Sequence, residues 1–149
     1  MRLVNLKPTV IACLLLALSV GLHFLLPQVY RPQFACVICG VLAIAIGLGV
    51  MMWAWWLFRK SGTPTRPTHQ ATALVTSGPF RFSRNPMYLA IVVIMLGLAV
   101  WVSSLPMRIA PVGFFAFLSL VFIPDEERRL CETCGDAYLS FAQRVRRWF

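Results

Sequence analysis

Two arginines and a helix start lie together in the middle of the chain, between two apolar runs. Residues 77–88 read Ser-Gly-Pro-Phe-Arg-Phe-Ser-Arg-Asn-Pro-Met-Tyr and contain Arg81 and Arg84. Asn85 is a favoured helix N-cap, and Pro86 then occupies the first helical position, where a missing N–H costs nothing. Free backbone N–H groups beside two arginines form a binding site for an anion. Anchoring of the helix at lipid headgroups explains the same arginines equally well, so both interpretations stand.

All the acidic residues of the chain are confined to one short segment: Asp125, Glu126, Glu127, Glu132 and Asp136. Acids stabilise the first turn of a helix and pair with arginines one turn away, which gives them a structural role. Any pocket of this protein must nevertheless draw its carboxylates from this segment. A pocket with the arginines on one side and these carboxylates on the other suits a zwitterionic ligand.

Two Cys-x-x-Cys pairs, Cys36/Cys39 and Cys131/Cys134, have the spacing of a four-thiolate zinc site. The topology derived below places the pairs at opposite membrane faces, so one ion cannot join them. A disulfide is disfavoured because the second pair lies in a reducing compartment. We therefore expect no metal site. The chain also contains no Walker loop, no Gly-x-Gly-x-x-Gly motif and no Ser/His/Asp or Cys/His nucleophilic set.

The composition indicates which elements carry these residues. Of 149 residues, 59% are hydrophobic and 13% charged, and the mean hydropathy is +0.76. A soluble domain contains about 25% charged residues, so we expect an integral membrane protein. Apolar runs at residues 9–26, 34–58, 87–102 and 109–123 reach roughly 27, 38, 24 and 22 Å as helices, against a hydrocarbon core of about 30 Å. The sequence predicts an all-α fold with about four transmembrane helices, the last two forming a short hairpin.

The lysines and arginines predict the orientation of these helices. Twelve of the 14 basic residues belong to the two termini and to the central loop, which connects the second and third apolar runs (residues 59–85). Arg31 and Arg108 lie at the other ends of the helices. By the positive-inside rule, both termini and the central loop are cytoplasmic. We therefore attribute the net charge of +9 to contacts with anionic lipid headgroups and to membrane topology, and we expect no nucleic-acid binding. The first apolar run lacks a cleavage site, so we expect it to be retained as a helix in the cytoplasmic membrane.

A charged tail follows the fourth apolar run. Pro124 is expected to end the fourth helix, and Gly135 to interrupt the tail. Beyond the glycine, four apolar residues at helical spacing predict an amphipathic helix at the membrane interface: Tyr138, Phe141, Val145 and Trp148. We treat residues 1–149 as a single domain, with two transmembrane helices in residues 1–60 and the loop, hairpin and tail in residues 61–149.

Two blocks of the sequence resemble a known enzyme family. Residues 74–88, Leu-Val-Thr-Ser-Gly-Pro-Phe-Arg-Phe-Ser-Arg-Asn-Pro-Met-Tyr, resemble the signature of isoprenylcysteine carboxyl methyltransferases and their bacterial, phospholipid-methyltransferase-like relatives. In that signature, a Gly-aromatic segment leads into Arg-His-Pro-x-Tyr or Arg-Asn-Pro-x-Tyr. The second block is Glu126-Glu-x-x-Leu130, then Gly135-x-x-Tyr138-x-x-Phe141-x-x-Arg144-Val145. Both blocks follow the order and spacing of the family and together cover residues 74–148.

This resemblance implies S-adenosylmethionine-dependent methyl transfer to a lipophilic or lipid acceptor at the cytoplasmic membrane face. The cofactor's carboxylate would meet Arg84 and the helix start, and its ammonium or ribose hydroxyls would meet a glutamate. With Arg81 added from the anion site, the predicted cofactor-binding residues are Arg81, Arg84, Asn85, Tyr88, Glu127 and Tyr138. The predicted catalytic residues are Glu126, Glu127 and Arg144.

The resemblance leaves the acceptor open. A carboxylate or thiolate, our first hypothesis, needs no base. An amine, as in phospholipid N-methylation, must lose a proton to Glu126 or Glu127. Ala90 and Arg146 replace a frequent glycine and a common proline, and Asn85 replaces the histidine of the eukaryotic signature, so we do not transfer isoprenylcysteine as the substrate. A third hypothesis is a non-catalytic protein that binds anionic lipid or a protein partner through its basic loop and tail. The sequence does not indicate an oligomeric state.

Overall fold

A computed structural model of the protein describes residues 7–25, 36–60 and 75–148, and within these ranges the regular structure is entirely helical. The α-helices are α1 (Pro8–Leu25), α2 (Val37–Lys60), α3 (Pro86–Val102), α4 (Leu105–Phe117), α5 (Ile123–Cys134) and α6 (Asp136–Arg144). A 3-10 turn at Gly78–Arg81 precedes α3, and a π-helical turn at Leu118–Phe122 joins α4 to α5. The predicted all-α fold is confirmed.

Three helical stretches are long and apolar enough to cross a membrane, Pro8–Leu25, Val37–Lys60 and Leu105–Cys134, and α3 is a shorter apolar helix. The first two leave large apolar side chains uncovered by protein. Ile38 is 74% exposed and Ile46 63% exposed, for example. Large apolar side chains left uncovered by protein are unfavourable in water and favourable against lipid tails, so these helix surfaces fit a bilayer. The chain is therefore an integral membrane protein.

Helix α3 lies between α2 and α4, and α1 packs on α4. Glycines allow α2 and α3 to approach closely. A Cβ atom added to Gly97 would lie 2.8 Å from the carbonyl oxygen of Gly40, and one added to Gly40 would lie 2.7 Å from that of Gly97. Small residues of this kind let helix backbones pack directly on each other in a membrane. This crossing positions the start of α3 beside the end of α2.

The glycine crossing gives a first prediction, on stability. Gly97→Ala is expected to lower the thermal midpoint in detergent, because the added methyl group overpacks the crossing at a cost of about 1–3 kcal/mol. Gly49→Ala is the matched control, since a Cβ atom at Gly49 meets nothing within 4 Å. Thermal unfolding of the two variants side by side checks this. A Gly97→Ala midpoint equal to or above that of Gly49→Ala would contradict the close approach.

The prediction that Pro124 ends the fourth helix is wrong. The helix continues through this proline, so that α4, the π-helical turn and α5 form one stretch from Leu105 to Cys134. Proline removes a backbone N–H and its ring crowds the preceding turn. The wider π-helical turn immediately before Pro124 relieves that crowding. As a result, the acidic segment is attached rigidly to the membrane hairpin and does not begin a separate tail.

As predicted, Gly135 separates α5 from α6, and its φ angle is +49°. The amphipathic helix beyond it is shorter than expected, because it ends at Arg144 and the next residue is extended. Its buried residues Tyr138 and Phe141 pack against Phe80 and Ala54. The apolar face of α6 is thus covered by the central loop and α2, which the prediction of an interfacial helix did not include.

Candidate functional site

The loop before α3 is fixed to the end of α2. Gly78 has a φ angle of +61°, and a Cβ atom at this position would lie 2.5 Å from Leu57 Cδ1 and 3.3 Å from the Trp53 ring. Two residues later, the buried ring of Phe80 contacts the ring of Phe58 edge to face, with centroids 5.1 Å apart. This arrangement places the following residues, including Arg84, at the N-terminus of α3.

Helix α3 begins at Pro86 with Asn85 in the N-cap position, as predicted, but the Asn85 side chain forms no capping hydrogen bond. Its amide Nδ2 instead donates to the carbonyl oxygen of Arg147 at 3.2 Å. The backbone N–H of Asn85 donates to Ser83 Oγ, also at 3.2 Å. The capping geometry is therefore replaced by contacts with the end of the chain.

The central loop and the acidic segment meet at Arg84 and Glu127. Arg84 Nη1 lies 3.1 Å from Glu127 Oε1, and the two side chains are only 16% and 18% exposed. The same nitrogen donates a hydrogen bond to Tyr138 Oη at 3.1 Å. Burial raises the pKa of Tyr138, and Glu127 raises it further, so its hydroxyl stays protonated. The structure thus brings together residues from the start of α3, from α5 and from α6.

A second guanidinium holds the same carboxylate. Arg147 Nη2 lies 2.6 Å from Glu127 Oε2, and Arg147 Nε lies 3.2 Å from Glu127 Oε1. This two-point geometry is the strongest form of an arginine–carboxylate pair. The hydrogen bonds to Glu127 raise the pKa of Arg147. Both oxygens of Glu127 are consequently engaged by protein donors.

Glu126 faces a different partner. Tyr88 Oη donates to Glu126 Oε1 at 3.4 Å, and the Tyr88 ring packs edge to face on Phe122 with centroids 5.6 Å apart. The other carboxylate oxygen, Glu126 Oε2, is buried and has no hydrogen-bond partner. A buried polar atom without a partner is costly, and a ligand donor at this position would remove that cost.

Arg84 carries a matching unsatisfied atom, because its Nε is also buried without a hydrogen-bond partner. The two atoms belong to groups of opposite charge, one a donor and the other an acceptor, and Glu126 is adjacent in sequence to the ion-pair partner of Arg84. The free donor of Arg84 fits the carboxylate of a ligand such as S-adenosylmethionine, and the free acceptor of Glu126 fits a protonated amine.

The remaining predicted site residues lie outside this cluster. Arg81 ends the 3-10 turn, is exposed, and forms no ion pair with any described residue. Arg144 is also exposed, and its Nε donates to the carbonyl oxygen of Ser140 on the same helix at 3.1 Å. The structure therefore joins Arg84, Asn85, Glu127 and Tyr138 in one network and leaves these two arginines on the surface.

Two polar residues of this region, Arg147 and Ser83, were not predicted from the sequence. Arg147 was one of several basic residues in the tail, and Ser83 had no predicted role, although its Oγ donates to the Arg147 carbonyl oxygen at 3.1 Å. Ser119 was not predicted either; its Oγ is buried without a partner in the π-helical turn, and such turns are frequent at functional sites. A serine within an apolar run was the available signal for Ser119.

The cysteine pairs are in separate places. Cys36 and Cys39 form a disulfide at the start of α2, contrary to our expectation that no disulfide forms, whereas Cys131 and Cys134 on α5 are free thiols. The free pair packs against the cluster that contains Tyr138 and Phe141. Among residues 7–25, 36–60 and 75–148, no group of three or more side chains is placed to hold a metal ion. The free cysteines are therefore part of the packing of α5 on α6.

Comparison with protein families identifies the family of the chain. The family model described as phospholipid methyltransferase matches residues 35–134. The chain belongs to the phospholipid methyltransferase family, which agrees with the resemblance found in its sequence. The match includes Arg84, Glu126 and Glu127 and ends before α6. Comparison with curated proteins and with solved structures gives no significant match.

Proposed function

We propose that this protein transfers a methyl group from S-adenosylmethionine to a lipid amine at the membrane face that carries Arg84 and Glu127. The observation that carries the proposal is the Arg84–Glu127 pair, which joins the two distant sequence blocks at 3.1 Å. Arg84 Nε is in addition a buried donor without a partner, and Glu126 Oε2, on the residue before Glu127, is a buried acceptor without a partner. The basic residues at this end of the helices favour a cytoplasmic orientation.

The cofactor is proposed to bind at the start of α3. Arg84 Nε would hold its carboxylate, assisted by the first backbone N–H groups of α3, which the Asn85 side chain does not cap. Glu127 and Tyr138 would orient Arg84 through the contacts to its Nη1. When bound, S-adenosylmethionine supplies a methyl group that is already electrophilic because its sulfur is positively charged. The protein therefore has to position the acceptor and exclude water.

The unsatisfied oxygen of Glu126 favours an amine over the carboxylate or thiol acceptor of our first hypothesis. A protonated amine would donate to Glu126 Oε2, whereas an anionic acceptor would meet a like charge there. The amine must lose a proton before its lone pair can react, and Glu126 is proposed to accept that proton. Tyr88 would keep the carboxylate oriented through its hydrogen bond to Oε1. The exposed Arg81 and Arg144 are proposed to contact lipid phosphates around the site.

Binding of S-adenosylhomocysteine tests the proposal against a non-catalytic scaffold. The protein in lipid nanodiscs is expected to bind this cofactor product saturably in titration calorimetry, with adenosine as the control ligand. Methyl-labelled S-adenosylmethionine added with membrane lipids is then expected to give a base-stable methylated amine. A base-labile methyl ester would instead favour the carboxylate acceptor. Absence of saturable binding would favour the scaffold that recognises anionic lipid or a partner.

A further inference from the structure

Residues 145–148, which we call the C-terminal clasp, lie over the start of α3. The backbone of the clasp accepts hydrogen bonds from the loop that precedes α3. The N–H of Arg84 donates to the Arg146 carbonyl oxygen at 3.0 Å. Ser83 Oγ and Asn85 Nδ2 both donate to the Arg147 carbonyl oxygen, at 3.1 and 3.2 Å. Three consecutive loop residues are therefore bound by two consecutive carbonyls.

Packing holds the clasp at both ends. Before it, Phe141 and Tyr138 of α6 are buried, with 5% and 3% exposure. After these contacts, the Trp148 ring packs on the Phe115 ring of α4 with centroids 4.7 Å apart. The clasp therefore crosses from α6 to the membrane hairpin, and its position relative to Arg84 is fixed on either side. Its residues also lie beyond the part of the chain that the family model matches.

Arg147 and Arg84 do not share the carboxylate oxygens of Glu127 equally. Arg147 takes the two-point contact with both oxygens, and Arg84 contacts Oε1 through Nη1 alone. A guanidinium and a carboxylate prefer the two-point arrangement when nothing competes for it. Without Arg147, Glu127 would be free to form that arrangement with Arg84 and to occupy more of its donors. The buried Nε of Arg84 is left unpartnered in the presence of this competitor.

We propose that Arg147 is a positioning residue that keeps Arg84 available for an anionic ligand by holding Glu127 in a two-point ion pair. This proposal rests on the proposed function, because the ligand it concerns is the carboxylate of the cofactor. Arg147 does not touch that ligand. It acts through Glu127, and the clasp acts by placing Arg147 there.

Arg147→Ala is expected to weaken S-adenosylhomocysteine binding by about tenfold or more, the value of one charge-assisted hydrogen bond. Arg147→Lys should recover only part of the loss, because an ammonium is a point charge without the planar fork. The Michaelis constant for S-adenosylmethionine should rise, with kcat unchanged at saturation. Arg128→Ala is the matched control, because it removes the same charge at an exposed position of α5 that follows Glu127 in the sequence.

A double variant separates positioning from a merely structural contact. In Arg147→Ala combined with Glu127→Gln, the residue at position 127 can no longer form an ion pair with Arg84, so the double variant should bind S-adenosylhomocysteine more tightly than Arg147→Ala alone. A structural role predicts losses that add. Binding by Arg147→Ala equal to wild type, or a double variant weaker than the single one, would overturn the role of Arg147.

Other outcomes concern the proposed function or the folding of a variant. If the wild-type protein itself shows no saturable binding, the cofactor proposal fails, and the positioning role proposed for Arg147 fails with it. If Arg147→Ala lowers the thermal midpoint in nanodiscs, Arg147→Lys replaces it in the comparison, because the lysine retains the charge and the aliphatic stem. Arg147→Lys binding as tightly as wild type would then contradict the need for a two-point pair.

Discussion

Arg84→Ala is expected to remove most of the affinity for S-adenosylhomocysteine, by about 100-fold, which is the largest effect of any single substitution in the site. Arg84 contacts both Glu127 of α5 and Tyr138 of α6, in each case at 3.1 Å. Its substitution also removes the buried Nε that is proposed to hold the cofactor carboxylate. Titration calorimetry in nanodiscs measures the loss directly.

The fold should survive this substitution, which makes the result interpretable. Glu127 keeps its two contacts with Arg147, so no buried carboxylate is left without a cation. The N–H of residue 84 still donates to the Arg146 carbonyl oxygen, because that contact involves only the backbone. We therefore expect a thermal midpoint close to that of wild type. Retention of wild-type affinity in a folded Arg84→Ala protein would exclude Arg84 from the cofactor site.

Arg84→Lys and Arg128→Ala complete the comparison. Lysine retains a positive charge but has no Nε–H equivalent and no planar fork, so it should recover only a small part of the affinity. Arg128→Ala removes an exposed arginine from the same membrane face and should leave affinity unchanged. If Arg128→Ala weakened binding as much as Arg84→Ala, general attraction by positive charge would explain the result, and a specific contact would not be needed.

Hydropathy and motif spacing were sufficient to predict the helices and the meeting of Arg84 with the acidic segment. Apolar runs near the length of a bilayer leave few alternatives to membrane helices, because backbone polar groups must be satisfied within the segment. The two polar blocks then have to share a membrane face, since one precedes the first helix of the hairpin and the other follows the membrane part of the second. Topology alone therefore places Arg84 and Glu127 in the same region, before any side-chain contact is known.

The errors arose where a rule based on residue type met a competing contact or an irregular helical turn. Asn85 is a favoured N-cap by residue type, but its side chain forms no capping hydrogen bond and is oriented so that Nδ2 donates to the carbonyl oxygen of Arg147. Pro124 usually ends a helix, but the preceding π-helical turn accommodates it. The three arginines near the C-terminus look alike in sequence, and only the extended backbone after Arg144 directs Arg147 towards Glu127. The outcomes at Asn85 and Arg147 are not encoded within a few residues of either position, because their partners lie 62 and 20 residues away.

Glu126→Gln is expected to lower kcat for methyl transfer to a lipid amine by about 10²–10⁴-fold, the usual contribution of a positioned general base. Glutamine has nearly the same shape and keeps an acceptor for the hydroxyl of Tyr88, so the local structure should be retained. What it loses is the ability to accept a proton. Binding of S-adenosylhomocysteine should be unchanged, because the proposed contact with the cofactor carboxylate is made by Arg84. Turnover at saturating cofactor, measured with labelled methyl groups, separates these two effects.

The matched control for this carboxylate is Glu132→Gln, which makes the same chemical change at an exposed position of α5 and should leave kcat unchanged. The pair of variants also discriminates between acceptors. A carboxylate or thiolate acceptor reacts without losing a proton to the protein, so its methylation should not require Glu126. Wild-type kcat in Glu126→Gln would therefore refute the base and, if the labelled product is a base-labile ester, would assign the protein to a carboxylate acceptor. A large loss of kcat with intact cofactor binding and a methylated-amine product is expected only if the unpartnered oxygen of Glu126 faces the reacting amine.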